Sequence, residues 1–493
     1  MKAPMDFSVS PAKSAFTAAD LLVVTVADPP RPLSGPIAKA DRLLEGVISR
    51  AVKGGEITGK PGELTFFHAP PPVDDEEFPT RVAVVGVGDG SDHLEWRVAG
   101  RAAASTARKL KAKDVTFAAS TSDGPIEIGA FIDGFGTGAY NFTRFKTDTE
   151  DVVEPALTIA ARSALKDDVA NAAVVVNAVN SACDLANSPA NHMTPLDLAD
   201  HAQALADDIE GLECEILEEP QLEELGAGAL LSVARGSELP ARMIVLRYSP
   251  KTVARKKETL GIVGKAVTFD TGGISIKPSS GMEEMKLDMA GGAAALEGAA
   301  LIARMALPVR FICAVPSAEN MPSGTATKPG DVVTAMNGKT IEVINTDAEG
   351  RLIMADALAW LTTQGATRLI NFATLTGAIV VALGEVYAGL FGSDDEWCEQ
   401  VRRAGEVSGD FAWPMPLHDD YHPLIESKVA DLANASNKRQ AGAVYAGMFL
   451  KEFTEELPWC HVDIAGTGMV NGKGTGFGVR MLLALAQKLS LAS

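Results

Sequence analysis

Two glycine-rich clusters of charge, each placed just after an apolar run, constrain this chain more than any other feature. One reads Asn345-Thr346-Asp347-Ala348-Glu349-Gly350-Arg351-Leu352. The other lies upstream and reads Val263-Gly264-Lys265-Ala266-Val267-Thr268-Phe269-Asp270-Thr271-Gly272-Gly273, then Ile274-Ser275-Ile276-Lys277, then Met285-Lys286-Leu287-Asp288. Together they bring four carboxylates, three lysines and an arginine into strand-to-loop settings. In open α/β sheets, ligand sites lie beyond the carboxyl ends of the strands. Lys265 and Asp270 follow the apolar run ending at Gly264, and Asp347 and Glu349 follow the one ending near Asn345. Asp347 and Glu349 are two residues apart, so an extended segment would put both on one face. Asp288 is expected on the following helix.

Such a set suits hard divalent cations, which take oxygen ligands. Two ions about 3.5–4 Å apart can share a water, lower its pKa and clamp a substrate oxygen. A lysine must be neutral to join the ligands, and burial and metal charge both push its pKa down. A second lysine, left charged, can polarise a carbonyl. The third, Lys286, reads as a solvated helix residue. For any single carboxylate, a surface ion pair or helix cap is the simpler explanation. Spacing alone leaves a metal site and a set of surface ion pairs both open.

The chain has 493 residues, more than one core usually holds, so two domains are expected. The first third alternates β-rich runs, Leu21–Val26, Arg81–Gly88 and Val115–Ala119, with a helical Leu94–Leu110. That alternation predicts a parallel-sheet α/β domain. The glycines at Gly86-Val87-Gly88-Asp89-Gly90 form an incomplete dinucleotide-loop pattern and read as a plain strand-to-helix turn, as do those at Gly134-Phe135-Gly136-Thr137-Gly138. Charge thickens at Thr147-Asp148-Thr149-Glu150-Asp151, and the first domain is placed at residues 1–165. A long helix over Asp167–Ala186 connects it, within residues 166–190, to a larger domain at 191–493. There, Met243–Tyr248, Gly261–Gly264, Val309–Val315, Ile341–Asn345 and Leu369–Ala373 read as strands. Glu283–Met305 and Arg351–Leu361 read as helices. The fold class is α/β: a smaller N-terminal α/β domain and a larger C-terminal α/β catalytic domain with a mixed, mostly parallel central sheet.

A net charge of -20 disfavours nucleic acid and acidic membrane surfaces as partners. Five scattered cysteines without CxxC spacing argue against a disulfide framework and for a reducing compartment. Met1–Pro11 lacks a signal-peptide pattern. The longest apolar stretch, Ala373–Phe391, is interrupted by Gly377, Gly384, Glu385 and Gly389, and reads as a buried element, not a membrane span. His418 and His422 stand four apart, half of a zinc site, but no third ligand is evident and they read as surface or packing residues.

The NTDAEGRL run and the GK-x-x-TFDTGGISIK run, with Asn187-x-Pro189-Ala190-Asn191, Glu319–Pro322, Ala373–Ala378 and Asp463–Thr467, resemble the leucyl (cytosol) aminopeptidase family of two-metal exopeptidases. The resemblance runs from about residue 170 to the C-terminus; the first domain is similar only in layout. It implies that Lys265, Asp270, Asp288, Asp347 and Glu349 are the metal ligands, with Asp270 and Glu349 touching both ions. It implies that Lys277 polarises the scissile carbonyl and that Arg351 holds a bicarbonate ion acting as general base, a match for a planar guanidinium fork. Met285, Thr374 and Gly377 match positions lining the pocket for the N-terminal side chain, with leucine and other apolar residues preferred. Two divalent ions per subunit (manganese or zinc first, magnesium or cobalt as alternatives), peptide substrates with a free N-terminus, a homohexamer with inward-facing sites, a cytoplasmic setting and no membrane complete the expectation. Ala266 stands where the family commonly has glycine, and Thr467-Gly468-Met469 and Asp431–Gln440 also depart from the pattern. Two other classes fit parts of the sequence. A two-metal phosphatase would want more basic residues near the carboxylates, and a non-catalytic DNA-binding regulator would want lost ligands or a basic surface.

Overall fold

A computed structural model describes residues 5–70, 78–149 and 152–491. The first four residues of the N-terminal segment and Glu150 and Asp151 of the charged stretch lie outside the described residues. The chain divides into two compact units, Met1–Asn180 and Ser181–Ser493. The division falls inside the helix Lys166–Asn187, which the apolar pattern places at Asp167–Ala186. By length and composition this helix, with its leading turn from Ser163, could cross a membrane, yet 44% of that window is already buried in the protein.

The first unit is built on six strands: β1 (Phe7–Pro11), β2 (Leu21–Val26), β3 (Leu64–His68), β4 (Arg81–Gly86), β5 (Asp114–Ala118) and β6 (Ala156–Ala161). They lie in the order β1-β6-β5-β2-β4-β3, and all pairs are parallel except β3 with β4. The apolar runs do not alternate with polar residues because both faces of the sheet are covered. Leu21 and Val23 of β2 pack with Phe117, Phe131 and Phe135 on one face, and Leu22 and Val24 pack with Ile37 and Ile48 on the other.

Gly86 ends β4 where a Cβ would lie 2.0 Å from the Lys60 carbonyl oxygen, and Gly88 adopts φ +61. These glycines serve close backbone packing in a plain turn. The glycines of Gly134–Gly138 do not form a turn; they lie inside the helix Pro125–Ala139. A Cβ on Gly134 would come within 1.9 Å of the Arg97 carbonyl oxygen, so the glycines permit close approach to the helix His93–Lys109. Helix–helix contact outweighs their poor intrinsic helix preference.

The second unit holds β7 (Leu212–Glu218), β8 (Arg242–Tyr248), β9 (Leu260–Gly264), β10 (Ala266–Asp270), β11 (Phe311–Asn320), β12 (Val332–Thr334), β13 (Thr340–Glu342), β14 (Arg368–Ala373), β15 (Ala388–Gly392), β16 (Ala412–Pro414), β17 (Leu432–Ala433) and β18 (Trp459–Asp463). Its main sheet runs β16-β15-β18-β14-β9-β11-β8-β7, with β10 also on β11. The centre is parallel and the flanks carry antiparallel pairs. A small sheet, β12-β13-β17, stands apart.

Three expected elements differ. Glu283–Met305 is not one helix: a 3-10 turn, Met282–Leu287, precedes the helix Ala290–Arg304, and Asp288 sits at the joint between them. The strand expected over Ile341–Asn345 stops at Glu342, because the amides of Ile344 and Asn345 are taken by the Asn434 side chain rather than a strand partner. The apolar stretch Ala373–Phe391 is not one buried element: it spans the end of β14, the short helix Gly377–Leu383 and β15, and Val381 is 91% exposed.

The junction of β9 and β10 delivers the upstream cluster. β9 pairs with β11 through Leu260–Val263, and β10 resumes on β11 at Ala266. Lys265 falls between them, its N–H donating to Phe372 O at 3.0 Å. A Cβ on Gly264 would stand 2.4 Å from Gly291 O and 2.6 Å from Ala295 Cβ, so glycine lets the helix Ala290–Arg304 seat against the strand. The Ala266 methyl is accommodated by Gly292, whose own Cβ would lie 2.7 Å from it. We expect Gly264→Ala to lower the stability of the protein by about 1–3 kcal/mol through overpacking; an unchanged urea midpoint would contradict this packing account.

Candidate metal centre

The two clusters meet at the carboxyl ends of the central strands. Lys265, Asp270, Asp288 and Glu349 are buried, and Lys277 and Asp347 are partly exposed, with side-chain exposures of 20% and 33%. Lys265 Nζ lies 2.7 Å from Asp288 Oδ2 and 2.7 Å from Glu349 Oε1. It also donates to the Thr374 carbonyl at 3.1 Å. Lys277 Nζ lies 2.6 Å from Asp270 Oδ2 and is paired with Asp347 as well. One oxygen each from Asp270, Asp347 and Glu349 gather within 4.8 Å of one another.

Asp347 and Glu349 do not converge through an extended segment. Asp347 lies in a turn, with its N–H bonded to Asn345 Oδ1 at 2.9 Å, and Glu349 is helical, at φ -75 and ψ -37, ahead of the helix Gly350–Thr363. The turn and the start of the helix bring them together. Gly350 leaves the space that Lys265 occupies: a Cβ there would lie 2.5 Å from Lys265 Cε. Gly272, at φ +86, would place a Cβ 2.7 Å from Asp347 Oδ1, so this loop needs glycine for both reasons.

Several residues orient the carboxylates. Asn320 Nδ2 donates to Asp270 Oδ1 at 2.7 Å and to Thr346 O at 3.0 Å. Thr374 Oγ1 donates to Asp288 Oδ1 at 2.7 Å. Asp463, fully buried, receives Thr376 Oγ1 at 2.7 Å and the Leu375 N–H at 3.1 Å, which fixes the turn after β14. Sequence reasoning placed Asn320 and Asp463 only in matching runs and missed Asn434 and Tyr445 altogether. Their partners lie scores of residues away, and no local pattern marks them.

Burial raises the Asp270 carboxyl to about 6, helped by Glu349, while Lys277 and Lys265 oppose the rise. Burial also holds Asp288 well above the ordinary carboxylate value, against the pull of Lys265. Burial raises Asp347 against Lys277. For Glu349 burial acts upward, but Lys265 and Lys277 win and the carboxyl is lowered. Burial acts downward on Lys265, as the sequence suggests, yet Asp288, Glu349 and Asp270 reverse it and hold the ammonium above its usual value. Within this network Lys265 is a cation, and a ligand role requires metal charge to displace its proton.

The donor set fits hard divalent ions. It is rich in carboxylate oxygen, it is buried, and Glu349 Oε2 is a buried oxygen without a hydrogen-bond partner. Asp270, Asp288, Asp347, Glu349 and a neutral Lys265 could hold such ions. Arg351 is buried beside them. Its Nη1 donates to Asn434 O at 2.6 Å, its guanidinium lies 5.1 Å from the Tyr445 ring centre, and its Nε has no hydrogen-bond partner.

Of the other expected residues, Met285 is half-buried on the 3-10 turn, Thr374 is buried beside Asp288, and Gly377 is exposed at the start of its helix with open space at its Cβ. Lys286 is not simply solvated; it donates to Asn187 O at 2.8 Å. His418 and His422 do not form a ligand pair. His418 precedes the 3-10 turn Asp419–Leu424 and accepts the Asp420 N–H at 3.2 Å, and His422 faces Glu426 and Glu452. Removing the shared cation should expose the imbalance of the site. In metal-free protein, Lys265→Met should cost about 3–5 kcal/mol by leaving buried carboxylates unpaired. Chemical denaturation in chelator measures this, and wild-type stability would contradict the buried network.

Residues 180–483 match the family described as "Cytosol aminopeptidase family, catalytic domain", and residues 23–149 match the "Cytosol aminopeptidase family, N-terminal domain". The likeness therefore extends through the first unit, beyond the layout legible in the sequence. The "Probable cytosol aminopeptidase" of Solibacter usitatus (strain Ellin6076) is 45% identical over 446 residues, 88% of this chain and 91% of that protein. That of Stutzerimonas stutzeri (strain A1501) is 37% identical over 480 residues, 95% of each. Among solved structures, a mutant of tomato leucine aminopeptidase superposes with a TM-score of 0.87 at 32% identity, covering 99% of this chain and 97% of its own. The bottromycin maturation enzyme BotP gives 0.80 at 30% identity, covering 96% of this chain and 99% of its own. With its N-terminal and catalytic domains both matched, the chain belongs to the cytosol aminopeptidase family, a family of metal-dependent peptide hydrolases.

Proposed function

We propose that the protein releases amino acids from the free N-terminus of peptides, with leucine and other apolar residues preferred. In this reading two divalent ions, manganese or zinc, are held by Lys265, Asp270, Asp288, Asp347 and Glu349. The observation that carries it is the gathering of three carboxylates within 4.8 Å beside a buried, unpartnered oxygen of Glu349. Asp270, Asp347 and Glu349, whose oxygens converge, would be central to holding them. When bound, such ions supply Lewis-acid charge and a water of lowered pKa.

The remaining work falls to the chain's own groups. Lys277 stays charged, because Asp270, Glu349 and Asp347 outweigh the downward effect of burial on its ammonium. It is also partly exposed, which suits it to face a substrate carbonyl and stabilise the negative charge that develops there. Arg351 is read as the holder of a bicarbonate ion, which would supply a general base. Its buried Nε, without a partner, and its planar fork favour an oxyanion of that shape. Met285, Thr374 and Gly377 are read as the wall of the pocket for the N-terminal side chain. Thr374 ties that wall to Asp288 through its hydroxyl. Recognition of the free α-amine at the metal pair would make the activity exo rather than endo. A homohexamer in the cytosol belongs to the same reading.

The test is release of p-nitroaniline from Leu-p-nitroanilide, before and after chelation and with manganese or zinc returned. Activity that is lost on chelation, regained with metal and absent when the substrate amine is acetylated is the expected result. Activity indifferent to chelation would overturn the reading. Asp347→Ala is expected to abolish hydrolysis. Lys277→Ala should lower kcat by about 10²–10³-fold while leaving metal content nearly unchanged, and an unchanged kcat removes Lys277 from the chemistry.

A further inference from the structure

Asn434 follows β17, whose two residues pair with Ile341 and Glu342 of β13. It is fully buried, and its own N–H donates to Glu342 O at 3.0 Å. Its side-chain oxygen accepts the N–H groups of Ile344 at 2.8 Å and Asn345 at 3.3 Å. Its side-chain nitrogen donates to the carbonyls of Asn345 at 2.7 Å and Ala348 at 3.3 Å. A primary amide offers two donors and two acceptor lone pairs. All four are spent on one loop, the segment that turns out of β13 and carries Asp347 and Glu349. The main-chain carbonyl of the same residue accepts Arg351 Nη1 at 2.6 Å.

We infer that Asn434 is a positioning residue of the metal centre, its amide fixing the loop of Asp347 and Glu349 while its carbonyl aims Arg351. The inference rests on reading those residues as metal ligands and anion holder. The physical need is clear from the local structure. The strand ends at Glu342, the Val343 N–H still reaches Asp331 O at 2.9 Å, and the amides of Ile344 and Asn345 would otherwise have no β partner. Asn434 serves in place of a strand and holds the loop in a turn that a continuing sheet would straighten. Aspartate would lack both donors, leucine would lack all four groups, and glutamine would carry the amide one methylene too far. The role has no signature in the sequence, since the partners lie 83 to 90 residues apart.

The experiment compares full-length wild type with Asn434→Ala. Manganese affinity is measured by direct titration without substrate, and kcat and KM for Leu-p-nitroanilide are measured at saturating manganese. Removing an outer partner of metal ligands typically costs about 10–100-fold in affinity or activity. The expected result is a loss of that size in manganese affinity and in kcat, with KM within about twofold and faster amide exchange across residues 344–348. Wild-type manganese affinity and kcat, whatever the change in melting temperature, overturn the inference, because a purely structural role moves only the latter. If Asn434→Ala does not fold, Asn434→Ser is measured instead. It keeps one hydroxyl in the slot, and the same two quantities decide. A wild-type protein that neither binds manganese nor hydrolyses the substrate overturns the reading of the site itself and this inference with it, so the two failures are distinguishable.

Discussion

Charge balance in a buried place governs this molecule. Asp270, Asp288 and Glu349 are out of solvent and Asp347 is partly so, and the cations beside them are Lys265, Lys277 and Arg351. Carboxylate charges held within 4.8 Å of one another repel by at least about 3 kcal/mol a pair at an effective dielectric of about 20. Desolvation adds several kcal/mol for each buried ion. Two lysines relieve part of this, and the raised carboxyls of Asp270 and Asp288 show what is left over. Divalent cations supply positive charge at higher density than any side chain, and the unpartnered Glu349 oxygen is the kind of group they take. The metal dependence of the family is thus a consequence of electrostatics that can be followed residue by residue.

The fold exists, at this point, to hold like charges together. The ladders of β9, β10, β11 and β14 place Lys265, Asp270 and the turn at Thr374, the loop out of β13 brings Asp347 and Glu349 to them, and glycines set the spacing. Gly264 admits the helix Ala290–Arg304, Gly350 admits the Lys265 side chain, and Gly272 admits Asp347. Asn320, Thr374 and Asn434 then spend neutral hydrogen bonds on orientation. These groups fix direction without adding charge. A second ring of lysines in their place would neutralise the carboxylates and remove the reason to bind metal.

The parts legible in the sequence were those written locally. Apolar runs such as Leu21–Val26 and Leu369–Ala373 became strands because both faces of each sheet are covered, so hydrophobicity alone marks them. Lys265, Asp270, Asp347 and Glu349 drew notice because they sit in glycine-rich stretches after apolar runs, and their reading with Asp288 as one ligand set came from the family resemblance, not from spacing. What escaped depended on distant partners. Ile341–Asn345 has strand composition, but Asn434 takes its last amides. Gly134–Gly138 has turn composition, but a neighbouring helix rewards the missing side chains. The joint at Asp288 is invisible to periodicity because the 3-10 turn before it continues the apolar pattern of the helix. The local polarity of Asn434 likewise says nothing of a loop scores of residues earlier.

The most direct test is a count of bound metal. Wild type and Glu349→Gln, stripped with chelator, are dialysed against manganese and analysed for metal per chain. Two ions per wild-type chain, and a clear loss in Glu349→Gln, are the predicted result. Manganese content that is negligible in wild type, or equal in the two proteins, would contradict the claim that these buried carboxylates are gathered to hold divalent cations.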